Sequence, residues 1–336
     1  ASTSRLFLGL KLECAQCHNH PTAHWTRKQF WEFAAFFADL GTEGKANRQQ
    51  LTIPGTKQVV QARFVTGVAP QLQPGGSPRA TLAEWITAAD NPYFARAAVN
   101  QLWAYFFGAG LVEPADDMGE HNPPSHPELL DELARQFTAH RFDLKFLIRA
   151  LVASRAYQLS SALPLKPNPS PLAGEGRSLL ARMAVRGLSP EQLFDSLAVA
   201  IDWQEPPPRA QRSFVGQEDR SPRAQFLEKF ANQDKRTESQ TTILQALFLM
   251  NGKLMADATS LEGSGTLAII ADAESLSTAR RLETLYLVAL ARKPRAEEAA
   301  RLIKYIDAGG PRKDKKKAFA DVFWALLNSA EFRLNH

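Results

Sequence analysis

Hydrophobic positions recur along most of this chain with the spacing of helices. Phe30, Phe33, Ala34 and Phe37 stand at i, i+3, i+4 and i+7, and Trp31 and Phe36 make much of the remaining surface apolar too. A Thr26/Gln29 capping box precedes the stripe, so a helix buried on most sides is expected through Ala38. A short helix is expected over Leu82–Ala89. The next begins after Asn91, which can cap, with Pro92 suited to a first turn. Phe94, Ala98, Leu102 and Tyr105 mark one face of it, Trp103, Phe106 and Phe107 add aromatic bulk, and Gly108 and Gly110 end it. A Ser125/Glu128 capping box opens a helix over 127–138, and Leu144, Leu147, Ile148, Leu151 and Val152 trace an amphipathic helix within Asp143–Ser160. Ser189-Pro190-Glu191-Gln192 combines an N-cap, a proline at N1 and glutamine at N3. Four further helices are expected at Thr242–Met255, Thr278–Ala291, Ala296–Ala308 and Lys317–Arg333. Met250 and Met255 in the first of these read as gap-filling core side chains.

Only one region breaks this period. Glycines and prolines punctuate residues 41–80, and within them Lys57–Val65 reads as a strand with Leu51-Thr52-Ile53 as its hairpin partner. Proline- and glycine-marked stretches near 163–178 and 205–223 read as exposed loops, the first either linking two bodies or lying on one. No repeat of fixed period occurs. The pattern predicts a mainly α protein: a multi-helix body with a small β-hairpin insert near residues 50–66. Its expected organisation is a cysteine-containing segment with the insert over 1–90 and a helical domain over 91–336.

Composition changes this picture little. The 336 residues are 44% hydrophobic and 22% charged, ordinary for a globular chain able to bury a sizeable core. No apolar run is long enough to cross a bilayer, so no membrane span is expected. Leu6–Leu12 is far too short, no signal peptide precedes it, and the opening Ala1-Ser2-Thr3-Ser4 reads as that of a mature or partial chain. Much of the net charge of +5 traces to Arg312-Lys313-Asp314-Lys315-Lys316-Lys317. That run suits a solvated helix start, with an acidic redox partner as the functional use; no nucleic-acid motif accompanies it, and no nucleic-acid partner is expected. Walker loops, G-x-G-x-x-G turns, G-x-S-x-G elbows and H-E-x-x-H are missing, which removes the usual signals of nucleotide-binding and hydrolytic enzymes.

The chemistry concentrates near the start. Cys14 and Cys17, the only two cysteines, stand with His18 as C-x-x-C-H, the signature of covalently attached c-type haem. On a helical turn, positions i, i+3 and i+4 share a face. Both thiols can then bond the porphyrin vinyl groups while His18 binds iron as proximal ligand. The other ring nitrogen of such a histidine usually donates to a carbonyl or carboxylate. The Phe30–Phe37 helix is either an apolar wall for the porphyrin or simply core. Zinc is the rival cofactor: Cys14, Cys17, His20 and His24 form C-x2-C-x2-H-x3-H, donor types that a closed tetrahedral site takes. A disulfide between Cys14 and Cys17 is the third assignment, although no βαβ pattern surrounds them. His20 lies about 200° round a helix from His18 and is not expected on the same iron. The loop Glu113–Glu128 holds Asp116, Asp117, Met118, Glu120, His121 and His126. Met118, His121 and His126 are each able to ligate haem distally, and the acids with His126 could serve acid–base hydrolysis.

Several blocks together carry a resemblance: Phe7-Leu8-Gly9-Leu10 leading into Glu13-Cys14-Ala15-Gln16-Cys17-His18-Asn19-His20-Pro21, Asn91-Pro92-Tyr93-Phe94 through Asn100, and Pro123-Pro124-Ser125-His126-Pro127-Glu128. Ser154-Arg155-Ala156-Tyr157-Gln158-Leu159-Ser160, Ser189-Pro190-Glu191-Gln192-Leu193 and Trp324 through Phe332 continue the series. Spanning nearly the whole chain in order, they resemble planctomycete-type secreted proteins that pair two domains of unknown function, often beside a cytochrome c domain. The chain resembles the end of the first domain plus all of the second. The resemblance implies an extracytoplasmic protein, periplasmic or secreted, but supplies no known activity. His18, His20 and His126 fall within matching motifs, which makes His126 the preferred distal candidate. The family commonly has aspartate where this chain has Asn19, which weakens any charge-based role there.

The expectation is therefore an extracytoplasmic c-type haem protein that transfers single electrons to a redox partner protein or cytochrome c domain. With an open distal side it becomes a haem-dependent oxidoreductase. The alternative is a non-catalytic cell-envelope module, clamped by zinc or a disulfide and binding a partner or an envelope polymer.

Overall fold

A computed structural model describes residues 1–38, 50–71, 76–161, 180, 182–203, 221–230, 250 and 252–335. The chain divides into two compact units, Ala1–Ala184 and Val185–His336.

The first unit begins with a π-helical turn, Ser4–Leu8, closed by Gly9 at φ 68°. A Cβ at Gly9 would sit 2.8 Å from the Met118 sulfur, so both the backbone angle and the close approach require glycine. A 3-10 turn, Glu13–Gln16, carries the cysteines. Helix α1 (Arg27–Ala34) starts at the expected capping box, in which Thr26 and Gln29 satisfy each other's backbone N–H, and a 3-10 turn at Ala35–Phe37 prolongs it. The hairpin is present as β1 (Gln50–Thr52) and β2 (Val59–Gln61), antiparallel with Leu51 opposite Val60. Its strands are shorter than the alternation suggested. Helix α2 spans Pro78–Ile86, slightly earlier than expected.

Phe30, Phe33 and Phe36 are buried with Leu8, Leu12 and Trp25 in one core cluster. Phe36 stacks on Phe64 and Phe64 on Trp85. The aromatic stripe of α1 is therefore core, and its buried faces are already covered by protein.

Helices α3 (Phe94–Phe107), α4 (Pro127–Ala139) and α5 (Leu144–Val152) build the second cluster. Asn91 caps as expected, accepting the N–H groups of Tyr93 and Phe94, and Gly108 ends α3 in the left-handed region. The buried face of α3 is not the expected one. Ala95, Val99, Trp103 and Phe107 point into the core and Tyr105 is exposed. A helix apolar all round does not announce which stripe its neighbours will cover. The Ser125/Glu128 capping box does not form either: Ser125 Oγ donates to Leu111 O, and His126 occupies the N-cap of α4. Asp143 caps α5, which stops at Val152 rather than near Ser160.

The second unit is a helical body tied at its ends by a two-residue ladder, β3 (Arg186–Gly187) against β4 (Leu334–Asn335). Helix α6 (Pro190–Ile201) begins at the expected Ser189/Gln192 capping box. There follow α7 (Pro222–Phe230), α8 (Lys253–Ala258), α9 (Gly265–Asp272), α10 (Thr278–Leu290), α11 (Ala296–Asp307), α12 (Lys315–Leu327) and α13 (Ala330–Arg333). The expected Lys317–Arg333 helix is two pieces, because Ser329 turns out to cap Phe332. Helices α7 and α9 were not anticipated. Met255 is core and Met250 exposed. The loops expected near 163–178 and 205–223, and most of the Thr242–Met255 helix, lie outside the described residues.

The core gathers Leu267, Leu282, Leu285, Ile306, Phe319 and Phe323, and Arg281 lies over the Phe319 ring. At the surface Arg292 holds Glu298 and Glu331 through paired guanidinium bonds. The basic run is a solvated helix start: Asp314 caps α12, and Lys315, Lys316 and Lys317 pair with Asp307, Asp272 and Asp314. Among the described residues no helix is long and apolar enough to cross a membrane.

Candidate functional site

The C-x-x-C-H segment is a single tight turn. The N–H groups of Cys17 and His18 both point to Cys14 O, at 3.4 Å each, which places Cys14, Cys17 and His18 at i, i+3 and i+4 of one turn. Ala15 faces inward, fully buried, while Cys14, Cys17 and His18 are exposed. Both thiols are free. From the other side, Trp31 Nε1 donates to Gln16 O at 3.0 Å, fixing the turn against α1.

His18 Nδ1 lies 2.7 Å from Asn19 O. A carbonyl oxygen can only accept, so Nδ1 carries the proton. In the neutral ring the lone pair is then on Nε2, and the ring is exposed. His20 is set the opposite way: its Nδ1 accepts the N–H groups of Ala23, at 3.0 Å, and Thr22, at 3.3 Å. That leaves the proton of neutral His20 on Nε2. His24 packs its ring on Trp25 and stands 4.0 Å from Glu120.

The loop after α3 docks onto this N-terminal segment. Buried Asn100 shapes the loop: its Oδ1 accepts Val112 N–H, and its Nδ2 donates to Val112 O and Ala115 O. Met118 N–H then donates to Gly9 O at 2.8 Å. Asp116 pairs with Arg5 at 2.8 Å, Lys11 reaches both Asp116 and Asp117 at 3.5 Å, and Asp117 holds His121 Nε2 at 3.2 Å. The His20 and His121 rings are 6.4 Å apart.

Several expectations can now be placed. Cys14, Cys17 and His18 are together on one turn. The set Cys14, Cys17, His20 and His24 is not assembled, and among the described residues no three His, Cys, Asp or Glu side chains group as a metal site needs. His126 sits at the start of α4 with Ser125 Oγ as its hydrogen-bond partner, 3.1 Å away. Met118 packs its sulfur against Gly9. Asp116 and Asp117, the acids considered for hydrolysis, are held in ion pairs. The contacts made by Asn19, Asn100 and Trp31 and the Asp117–His121 pair were not read from the sequence. The one available signal was the i,i+4 spacing of Asp117 and His121.

The architecture is thus a mainly α protein whose reactive side chains lie on one exposed C-x-x-C-H turn, beside a loop rich in acids and histidine. The family model described as PSD1, protein of unknown function (DUF1553), matches residues 78–306, so the chain belongs to that family. The model described as PSCyt2, protein of unknown function (DUF1549), matches residues 1–42, which contain the turn. The Met118–Gly9 bond and the Asp116 and Asp117 pairs join these two matched segments within the first unit. No curated protein and no solved structure matches the chain.

Proposed function

We propose that the turn Cys14–His18 is a covalent haem c site and that the protein is an extracytoplasmic single-electron carrier. The observation that carries this reading is the state of His18. Its proton is held on Nδ1 by Asn19 O, and its Nε2 lone pair is free at the surface, as a proximal ligand requires. The donor set fits the group: two free thiols at i and i+3 and one imidazole at i+4, all exposed. When bound, haem would supply a reversible one-electron couple. The chain's own part is to hold the turn rigid. Ala15 plugs into the core, Trp31 ties Gln16 to α1, and Asn19 orients the imidazole. With α1 filled by core packing, the ring would lie on the surface, open to a redox partner protein or cytochrome c domain. A surface-exposed distal side also permits a haem-dependent oxidoreductase.

Zinc is less well supported, because His20 presents a protonated Nε2 and the four-ligand set is not gathered. His126 remains a distal candidate on its motif alone, and nothing in its surroundings favours it.

The test is export of the chain in a host with cytochrome c maturation, followed by a pyridine haemochrome assay. One c-type haem per chain, lost in Cys14→Ala, Cys17→Ala and His18→Ala, is the expected result. A colourless protein from cells that load a control cytochrome overturns the reading, and one zinc per chain replaces it with a structural site.

A further inference from the structure

We propose that Asn19 is the positioning residue of this site, setting the tautomer and orientation of His18 through a contact with the start of α1. The functional consequence rests on the haem reading; the structural one does not.

Asn19 makes two contacts in opposite directions. Its backbone oxygen accepts the His18 Nδ1–H, and its side-chain Oδ1 accepts the backbone N–H of Arg27 at 2.9 Å. Arg27 is the first residue of α1, and the first amides of a helix have no intrahelical acceptor. Thr26 and Gln29 satisfy each other and leave the Arg27 amide to Asn19. The chain beyond is also pinned: His20 N–H donates to Trp25 O at 2.8 Å, and His20 Nδ1 takes two amides of its own turn. The peptide whose oxygen holds His18 is therefore fixed at both ends, by its own N–H on Trp25 O and by the Asn19 side chain on the first amide of α1. Removing the Asn19 side chain leaves the His20–Trp25 bond in place but releases the Asn19 end of the peptide, so that its oxygen can swing about the one remaining anchor.

Aspartate at 19 presents the same acceptor to the same amide and adds a favourable charge at a helix N-terminus. Asparagine and aspartate are equivalent here as acceptors, and alanine is not.

The experiment uses the haem-free full chain, labelled with 15N, and reads the tautomer of His18 from long-range 1H–15N correlations at a pH where the same spectra show its ring to be neutral. Wild type and Asn19→Asp are expected to show the Nδ1–H form alone. Asn19→Ala is expected to show the two-tautomer mixture of a free imidazole. Thr26→Ala weakens the start of α1 without touching Asn19 and is expected to keep the wild-type form, which separates positioning from general loss of stability. Arg27→Pro removes the same contact from the other side, because proline lacks the amide yet suits N1; it is expected to behave as Asn19→Ala and serves if that variant does not fold.

In haem-loaded protein, loss of the Nδ1–H bond weakens the ligand as a donor. The reduction potential of Asn19→Ala should rise by about 59 mV, a tenfold change in a one-electron equilibrium. A wild-type tautomer in both Asn19→Ala and Arg27→Pro overturns the proposal, as does equal loss in Thr26→Ala. The haemochrome assay on wild type decides the haem reading separately, and a haem-free result leaves the tautomer test standing.

Discussion

The two compact units differ in what their polar side chains do. Six of the seven histidines and both cysteines lie in the first unit. There, beside ion pairs such as Arg5–Asp116, Asn19, Asn100 and Trp31 bind backbone and hold a helix start, a loop and a turn. These contacts shape irregular chain so that a few reactive side chains remain exposed. In the second unit the backbone-binding side chains are mostly helix caps, and ion pairs link the regular helices. Arg292 grips Glu298 and Glu331, and the α12 lysines find aspartates. In the first unit side chains shape irregular chain, and in the second they cap and link regular helices.

The strongest way to break this comparison is to remove a core aromatic from each side. Phe319 and Phe36 are both fully buried. Phe319→Ala and Phe36→Ala should each cost about 3–5 kcal/mol. Hydrogen exchange should show protection lost in the unit that carries the substitution and kept in the other. Simultaneous loss in both units would show that the division is geometric and not energetic.

Asn100→Ala comes next. It leaves the Val112 N–H and C=O unpaired in the interior, at a cost of about 2–3 kcal/mol. The Val112 amide and the loop to Asn122 should exchange faster, while the second unit stays unchanged. A uniform loss across the first unit would mean that the loop is not an independently held element.

Arg292→Met tests the ionic closure. Hydrogen bonds from Arg292 are the main force holding the Glu298 carboxyl down to about 2, from an ordinary 4.5. A depressed carboxyl pKa contributes stability that is fully present above pH 4.5 and is lost as pH falls toward 2. Because these side chains are partly exposed and screened by solvent, about 1 kcal/mol is expected. Denaturant unfolding of the second unit should weaken between about pH 4.5 and 2 in the wild type and more shallowly in Arg292→Met. Parallel curves would show that the pair contributes nothing.

The smallest effect is a gain. Asn19→Asp puts a charge on the first amide of α1 and should stabilise the first unit by about 0.3–1 kcal/mol. High salt should erase the gain, and a salt-independent change would point to packing instead.

Two divisions of this chain do not coincide. The family models change between residues 42 and 78, whereas compactness divides the chain after Ala184. The contacts of Arg5, Gly9 and Lys11 with residues 116–118 tie the 1–42 segment to the early part of the 78–306 segment within the first unit.

Local signals were legible in the sequence because their physics is local. The capping boxes at Thr26 and Ser189, the cap at Asn91 and the hairpin of Leu51-Thr52-Ile53 with a strand in 57–65 depend on residues close in sequence, and all are found, the strands shorter than expected. The C-x-x-C-H turn belongs with them, since one turn brings its three side chains together. Long-range choices were not legible. Which stripe of α3 is buried depended on the helices and turns packed against it, and Ser125 left its capping role for the carbonyl of Leu111, 14 residues away. The acceptor for His18 could not be read either, because it is a backbone oxygen, and its side chain's grip on α1 bridges eight residues of irregular chain. Sequence alone determined the helical body, its caps, the hairpin and the reactive turn. Tertiary structure decided which faces are buried, where the acidic loop docks, and which nitrogen of His18 is left free, because each of these is set by groups that meet only once the chain has folded.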